Sequence, residues 1–276
     1  MSRIDSHQHF WIYQAERDTW ISDQESILKD DFMPEHLLPI LVHYGFEGCV
    51  VVQADQSDEE TLFQLKNAEE HSFIKGVVGW VDLQAKDLED KLAGYQGYDK
   101  LKGFRHILQG EQDRALMLRP AFKKGIELLG KYGYTYDILV FSDQLEYAEI
   151  LVAEFPDQPF VLDHLGKPDI KNGKISDWSR GIRALARHEN LYCKASGMVT
   201  EADLNNWKAT DFKPYLDVLF EAFGTGRVMF GSDWPVCRLA ATYGQVTGLM
   251  EDYISSFSKQ EQEQFWSGNA VRFYKL

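Results

Sequence analysis

Two short motifs at opposite ends of the chain concentrate side chains that accept and donate protons. They are Ile4-Asp5-Ser6-His7-Gln8-His9-Phe10-Trp11 and Val228-Met229-Phe230-Gly231-Ser232-Asp233-Trp234-Pro235. In a strand, residues two apart face the same side, so His7 and His9 can direct both imidazoles into one pocket. Only a chain that closes on itself brings Asp233 to meet them, and that closure implies a barrel. Further titratable groups end other β-like runs: Arg105 and His106, Asp137, Asp163 and His164, and Lys194. A single buried histidine is usually a satisfied core residue, but placement of so many at strand ends is harder to assign to packing alone. By contrast His36, His43, His71 and His188 fall on helical or loop stretches, where a solvated or helix-terminal role suffices.

The elements that must position these groups read as an alternation. Short apolar runs recur at Ile4–Phe10, Gly48–Gln53, Ile74–Val81, Leu101–Ile107, Tyr134–Val140, Pro159–Leu162, Leu191–Lys194 and Arg227–Phe230. Between them, Asp58–Glu70, Ala115–Lys131, Gln144–Phe155, Trp178–Ala186 and Pro214–Phe223 carry apolar residues three or four apart, the helical period. Strand–helix alternation specifies parallel pairing. An open doubly wound sheet also alternates, yet it usually places a Gly-rich phosphate loop after its first strand, where this chain has His-Gln-His-Phe-Trp. The fold class expected is therefore α/β, a (β/α)8 TIM barrel. Its 276 residues lie close to the roughly 250 of one such barrel, so residues 1–276 read as a single domain. The aperiodic, aromatic stretch 11–33 is expected to be a loop over the active-site mouth, and Lys259–Leu276 a closing amphipathic helix.

Composition narrows the function classes. Lys and Arg number 29 against 43 Asp and Glu, a net charge of −14, which repels nucleic acid and anionic membranes. No stretch approaches the about 18 apolar residues of a spanning helix, and the polar opening does not resemble a secretory leader, so a cytoplasmic location is expected. Cys49, Cys193 and Cys237 are odd in number, far apart and in apolar settings, the pattern of reduced buried thiols.

Several segments together resemble the amidohydrolase superfamily, and more closely its sugar lactonase branch, the L-fuconolactonase and L-rhamnonolactonase types related to 2-pyrone-4,6-dicarboxylate lactonase. They are Asp5–Trp11, Lys102-Gly103-Phe104-Arg105-His106, Phe160–Pro168 with its Asp-His-Leu-Gly-Lys-Pro, Cys193-Lys194-Ala195-Ser196-Gly197, and Phe230–Pro235. The bridging Lys or Glu and the extra His of binuclear members have no counterpart on the fourth and fifth runs, so a second metal lacks ligands. The resemblance implies a barrel of the metal-dependent hydrolase type with one Zn²⁺, or another divalent ion, on His7, His9, His164 and Asp233. The alternative is metal-free catalysis in which the same histidines donate hydrogen bonds to the substrate carbonyl.

The reaction implied is hydrolysis of a sugar-derived 1,4- or 1,5-lactone to the aldonate. Asp233 is expected to take a proton from the attacking water and return it to the ring oxygen, while His164 and Arg105 meet the charge on the carbonyl oxygen. His106, Asp137 and Lys194 are expected to bind substrate polar groups, with a structural ion pair as the equal alternative for Asp137 and Lys194, and a carboxylate bridge for Arg105. Asp163, preceding an inward His164, is expected to turn away. Trp11 and Trp234, which flank the proposed ligands, suit stacking on a sugar ring, better than Trp20 or Trp80, although most buried Trp simply fills space. A metal-dependent decarboxylase or other hydrolase of a small organic acid is the alternative on the same scaffold, and a non-catalytic sugar-binding barrel a third. The partner expected is a small lactone, with no nucleic acid, no membrane and homo-oligomerisation left open.

Overall fold

A computed structural model describes residues 2–276. Eight parallel strands follow one another around a single sheet in chain order: β1 (Ile4–Gln8), β2 (Gly48–Val52), β3 (Ile74–Gly79), β4 (Leu101–His106), β5 (Thr135–Ile138), β6 (Phe160–Leu162), β7 (Leu191–Ala195) and β8 (Val228–Phe230). Seven of the expected runs contain a strand trimmed by a residue or two at its ends, and β7 runs one residue past its expected run, to Ala195. Helices α1 (Pro34–His43), α2 (Asp58–Glu70), α3 (Leu88–Gly94), α4 (Pro120–Tyr132), α5 (Leu145–Glu154), α6 (Ser176–Leu185), α7 (Ala209–Phe223) and α8 (Tyr243–Ile254) intervene and follow. The architecture is the expected (β/α)8 barrel.

Where helix limits differ from the sequence pattern, backbone chemistry explains it. The apolar period from Ala115 breaks at Pro120, whose missing N–H and fixed φ suit a first helical position, so a short turn at Leu116–Leu118 precedes α4. Helix α7 begins upstream of Pro214 because the Asp211 carboxylate accepts from the Lys208 N–H at 2.8 Å and caps the start. The C-terminal stretch is helical without a break from Lys259 to Tyr274, as expected, but widens in its middle. It is α9 (Lys259–Glu263), a wide π turn over Gln264–Gly268, and α10 (Asn269–Tyr274).

The barrel closes without a regular ladder between β8 and β1. Ser6 Oγ donates to the Phe230 carbonyl at 2.5 Å, the Ser232 N–H to Asp5 Oδ1 at 2.9 Å, the Asp233 N–H to the His7 carbonyl and the His9 N–H to the Trp234 carbonyl, both at 2.8 Å. This seam sets Asp233 beside the two histidines, so closure and site assembly are one event.

The inside of the barrel is graded. At its amino end Ile4, Val50, Val161 and Met229 form an apolar floor sealed by Phe273 and Tyr274 of α10. Above them, the next inward positions are His7, Arg105, Asp137 and Lys194, buried charged and polar side chains beneath the carboxyl-end mouth. The main apolar core lies outside, between sheet and helices. Over the mouth end, Trp11 and Phe32 exchange backbone hydrogen bonds of 2.9 and 2.8 Å, pinning together the two ends of the 11–33 segment, and Phe32 packs edge-on against Trp234. Among the described residues no helix is long and apolar enough to cross a membrane.

Candidate active site

Three imidazoles point their Nε2 atoms at one carboxylate oxygen. Asp233 Oδ1 lies 3.3 Å from His9 Nε2, 3.9 Å from His7 Nε2 and 4.0 Å from His164 Nε2. Each ring has its other nitrogen occupied: His9 Nδ1 by the Val52 carbonyl at 2.7 Å, His164 Nδ1 by Ser196 Oγ at 2.9 Å, His7 Nδ1 by Asp163 Oδ1 at 3.3 Å and Lys194 Nζ at 3.1 Å. The Val52 carbonyl can only accept, so His9 carries its proton on Nδ1 and turns its Nε2 lone pair to the centre, the tautomer a metal or a proton donor requires.

Two of the converging residues get there by strained backbone rather than by strand alternation. His164 has φ 53° and Asp233 φ 58°, in the left-handed region that non-glycine residues rarely adopt. This overturns the expected facing of Asp163. Alternation along β6 turns Val161 and then Asp163 inward, and Asp163 meets Arg105 at 3.2 Å, Lys194 at 3.0 Å and His7. His164 comes back to the site only because the chain leaves the strand in a left-handed turn. The close approach is visible at Gly197, where a Cβ would lie 2.5 Å from His164 Nδ1.

The electrostatics favour neutral imidazoles beside ionised carboxylates. Burial holds the proton affinities of His7 and His164 well below the ordinary value, outweighing the pull of Asp163 and Asp233. Burial alone would raise Asp233, but His164, His9 and Lys167 hold it below the usual carboxylate range. Beneath them, Lys194 bridges two carboxylates, Asp137 at 2.5 Å and Asp163 at 3.0 Å. Burial again opposes ionisation of Asp163, yet Lys194, His7 and Arg105 keep it well below normal. Asp137 is pushed up to about 6, by burial and by the neighbouring Asp163, against the attraction of Lys194.

His7, His164 and Asp233 each place one donor atom within 4.8 Å of the others, a set of two neutral nitrogens and one ionised oxygen that fits a divalent ion. His9, expected among the ligands, falls outside that group of three and joins it only through Asp233. Arg105 is held by other partners: the Gln53 carbonyl at 2.6 Å, Gln53 Oε1 at 2.8 Å and Asp163, with His7 Nε2 at 3.3 Å from its guanidinium.

The remaining expected residues divide by facing. Asp137 and Lys194 have no exposed surface, and Asp137 also accepts from the Tyr274 hydroxyl at 2.8 Å, so the geometry is that of the interior ion pair and gives substrate no path to them. His106 follows inward-facing Arg105 and is turned outward, its ring against Phe122 of α4 and its Nε2 at 2.9 Å from Glu111, away from the histidine cluster. Trp11 and Trp234 are 2% and 3% exposed and pack edge-on against Phe32, the space-filling alternative. Trp20, in contrast, is 47% exposed. Trp234 and Arg238 border a groove of about 940 Å³ between α1 and the loop after β8, and none of the four converging residues lines it.

Gln53, which clamps Arg105, and Ser196, which fixes His164, were not expected. Their signal was position: each ends or follows a strand, as the last polar residue after Val-Val-Val and within Lys-Ala-Ser-Gly.

Similarity to known proteins agrees with this geometry. The chain is 40% identical over 285 residues to an L-fucono-1,5-lactonase of Burkholderia multivorans, covering 99% of this chain and 96% of that one. It is 32% identical to an L-fucono-1,5-lactonase of Burkholderia ambifaria, with the same coverage. A crystal structure of an amidohydrolase from Burkholderia multivorans with bound zinc superposes with a TM-score of 0.96, at 40% identity over 100% of both chains. A family model described as Amidohydrolase matches residues 4–276, and the chain belongs to that family.

Proposed function

We propose that the protein hydrolyses a sugar-derived lactone, an L-fucono-1,5-lactone or a near relative, to the aldonate. The observation that carries the reading is the convergence of three Nε2 atoms on Asp233 Oδ1 at the mouth of the barrel. The 40% identity to a named L-fucono-1,5-lactonase supports the choice of substrate.

In this reading Asp233, ionised at neutral pH, accepts a proton from the water that attacks the lactone carbonyl carbon. The same proton is returned to the ring oxygen as the acyl–oxygen bond breaks, so the products are a carboxylate with a free hydroxyl and one proton released to solvent. Negative charge gathers on the carbonyl oxygen, where His164 and His9 face the opening and Arg105 lies behind His7. A zinc ion held by His7, His164 and Asp233 would act as a Lewis acid on that oxygen or lower the pKa of a bound water. Lys194 fixes His7, and Ser196 fixes His164, so neither ring must reorganise during the reaction.

The described residues form a single amidohydrolase-like domain in this reading, with 11–33 covering the mouth. The burial of three free thiols, Cys49, Cys193 and Cys237, suits a reducing cytoplasm. Proton release in weak buffer with a pH indicator, on L-fucono-, L-galactono- and L-rhamnonolactones, with and without chelator, tests the proposal. Turnover of at least one above its uncatalysed rate is expected, and no turnover of any sinks it. Metal analysis of the same sample reports whether zinc is bound.

A further inference from the structure

We propose that Lys167 and Glu201 form the part of the mouth that binds the ring hydroxyls of the substrate, Glu201 accepting from one hydroxyl and Lys167 donating to its neighbour. The inference rests on the lactone reading and names what selects a polyhydroxy ring over a plain one.

The two residues are delivered by the same turns that build the site. Lys167, with φ 48°, closes the left-handed turn that starts at His164. Glu201 ends the short turn Val199–Glu201, which follows the Gly197 that packs on the His164 ring. Lys167 Nζ and Glu201 Oε1 are 3.0 Å apart, and each side chain is only 17% exposed. Both share the field of Asp233. Lys167 helps to hold that carboxyl low, while burial first, and Asp233 further down, push Glu201 up. Beside them Phe141, after β5, is 39% exposed and has its ring centroid 5.3 Å from Lys167 Nζ, an apolar face next to a donor and an acceptor.

A purely structural role explains less. The loops after β6 and β7 are already joined by the Lys171 N–H to Glu201 carbonyl bond at 2.9 Å, and in a mostly buried ion pair the desolvation cost offsets much of the attraction. The 3.0 Å contact uses one of three ammonium hydrogens and one of two carboxylate oxygens. A vicinal diol offers the donor and the acceptor that match the remainder, as charge-assisted hydrogen bonds.

The test compares Glu201→Gln and Lys167→Met with the unaltered protein on L-fucono-1,5-lactone and on δ-valerolactone, a ring without hydroxyls. In each variant the ratio of kcat/KM for the hydroxylated ring to that for the plain ring is expected to fall about tenfold or more, carried by KM. Equal losses on both rings, or none, overturn the assignment. Calorimetric titration with L-fucose, which has the hydroxyls and no ester, gives a readout independent of turnover. Binding by the unaltered protein, weakened about tenfold in the variants, is expected; no binding, or binding that neither substitution alters, overturns the assignment. Should neither lactone be hydrolysed, the lactone reading falls while the titration still decides the role of the rim. Circular dichroism checks the fold of each variant, and either one that folds suffices.

Discussion

The charged and polar groups inside this barrel arrive by two routes, and the routes sort them. His7, Arg105, Asp137 and Lys194 sit within the strands, His7 where the β1–β2 register shifts, and are engaged with one another and with Asp163. His9, His164 and Asp233 lie beyond the strand ends and, with His7 reaching up from β1, converge on Asp233 Oδ1. Strand-borne groups are fixed by the ladder and hold the site, and among them His7 also presents Nε2 to Asp233. Of the groups beyond the strand ends, His164 and Asp233 escape alternation, at a backbone cost of about 1–3 kcal/mol for each left-handed residue, and so reach what enters.

The sharpest way to break that division is at its turn-borne centre. Asp233→Asn keeps the shape and removes the base, and turnover is expected to fall by about 10²–10⁴ with the unfolding midpoint little moved. Steady-state kinetics alongside thermal denaturation measure both, and an undiminished kcat would refute the role. Lys194→Met should behave in the opposite way. It leaves Asp137 and Asp163 buried without their shared cation, a loss of about 3–5 kcal/mol of stability. Denaturant unfolding measures it. A raised KM at an unchanged midpoint would instead return Lys194 to the substrate.

The same division marks what could be read from the chain. The strands, their order and the meeting of His7 with Asp233 were legible, because apolar runs at barrel spacing admit few closures and the two motifs sit at the two ends that closure joins. The facing of Asp163 was not. The period of two that identifies β6 says nothing of the left-handed turn after it, and a His in that conformation carries no sequence mark. His106, expected to bind substrate, faces the other way for the converse reason: alternation holds through the end of β4, so placing Arg105 inside required His106 outside. Burial of Trp11 and Trp234 depends on Phe32, whose return to the mouth is set by a long loop without periodicity.

Acid unfolding sharpens the comparison from the side of the neutral rings. His7 and His164 have native proton affinities far below that of an unfolded histidine, so below about pH 6.5 the unfolded chain takes up protons that the native one refuses. Stability therefore falls as pH falls through that range, by about 1.4 kcal/mol per pH unit for each such group. With chelator present, His164→Asn is expected to reduce the slope between pH 6.5 and 5 by one group's share. Denaturant midpoints across that range measure it, and an unchanged slope would mean that His164 is protonated in the fold.

The smallest expected effect tests the sorting rule where it is most exposed to error. His106 is adjacent to Arg105 in sequence and opposite to it in facing, with Phe122 and Trp80 as ring neighbours and Glu111 as its partner. If facing rather than proximity decides function, His106→Gln, which keeps a donor for Glu111, changes kcat and KM by no more than about twofold, the effect of a substitution outside the site. A KM rise of ten times that size would mean that the mouth extends across β4 to the helix side. The interior of the barrel would then not be the boundary of the site, and the distinction between groups that hold and groups that touch would fail at the strand that supplies Arg105.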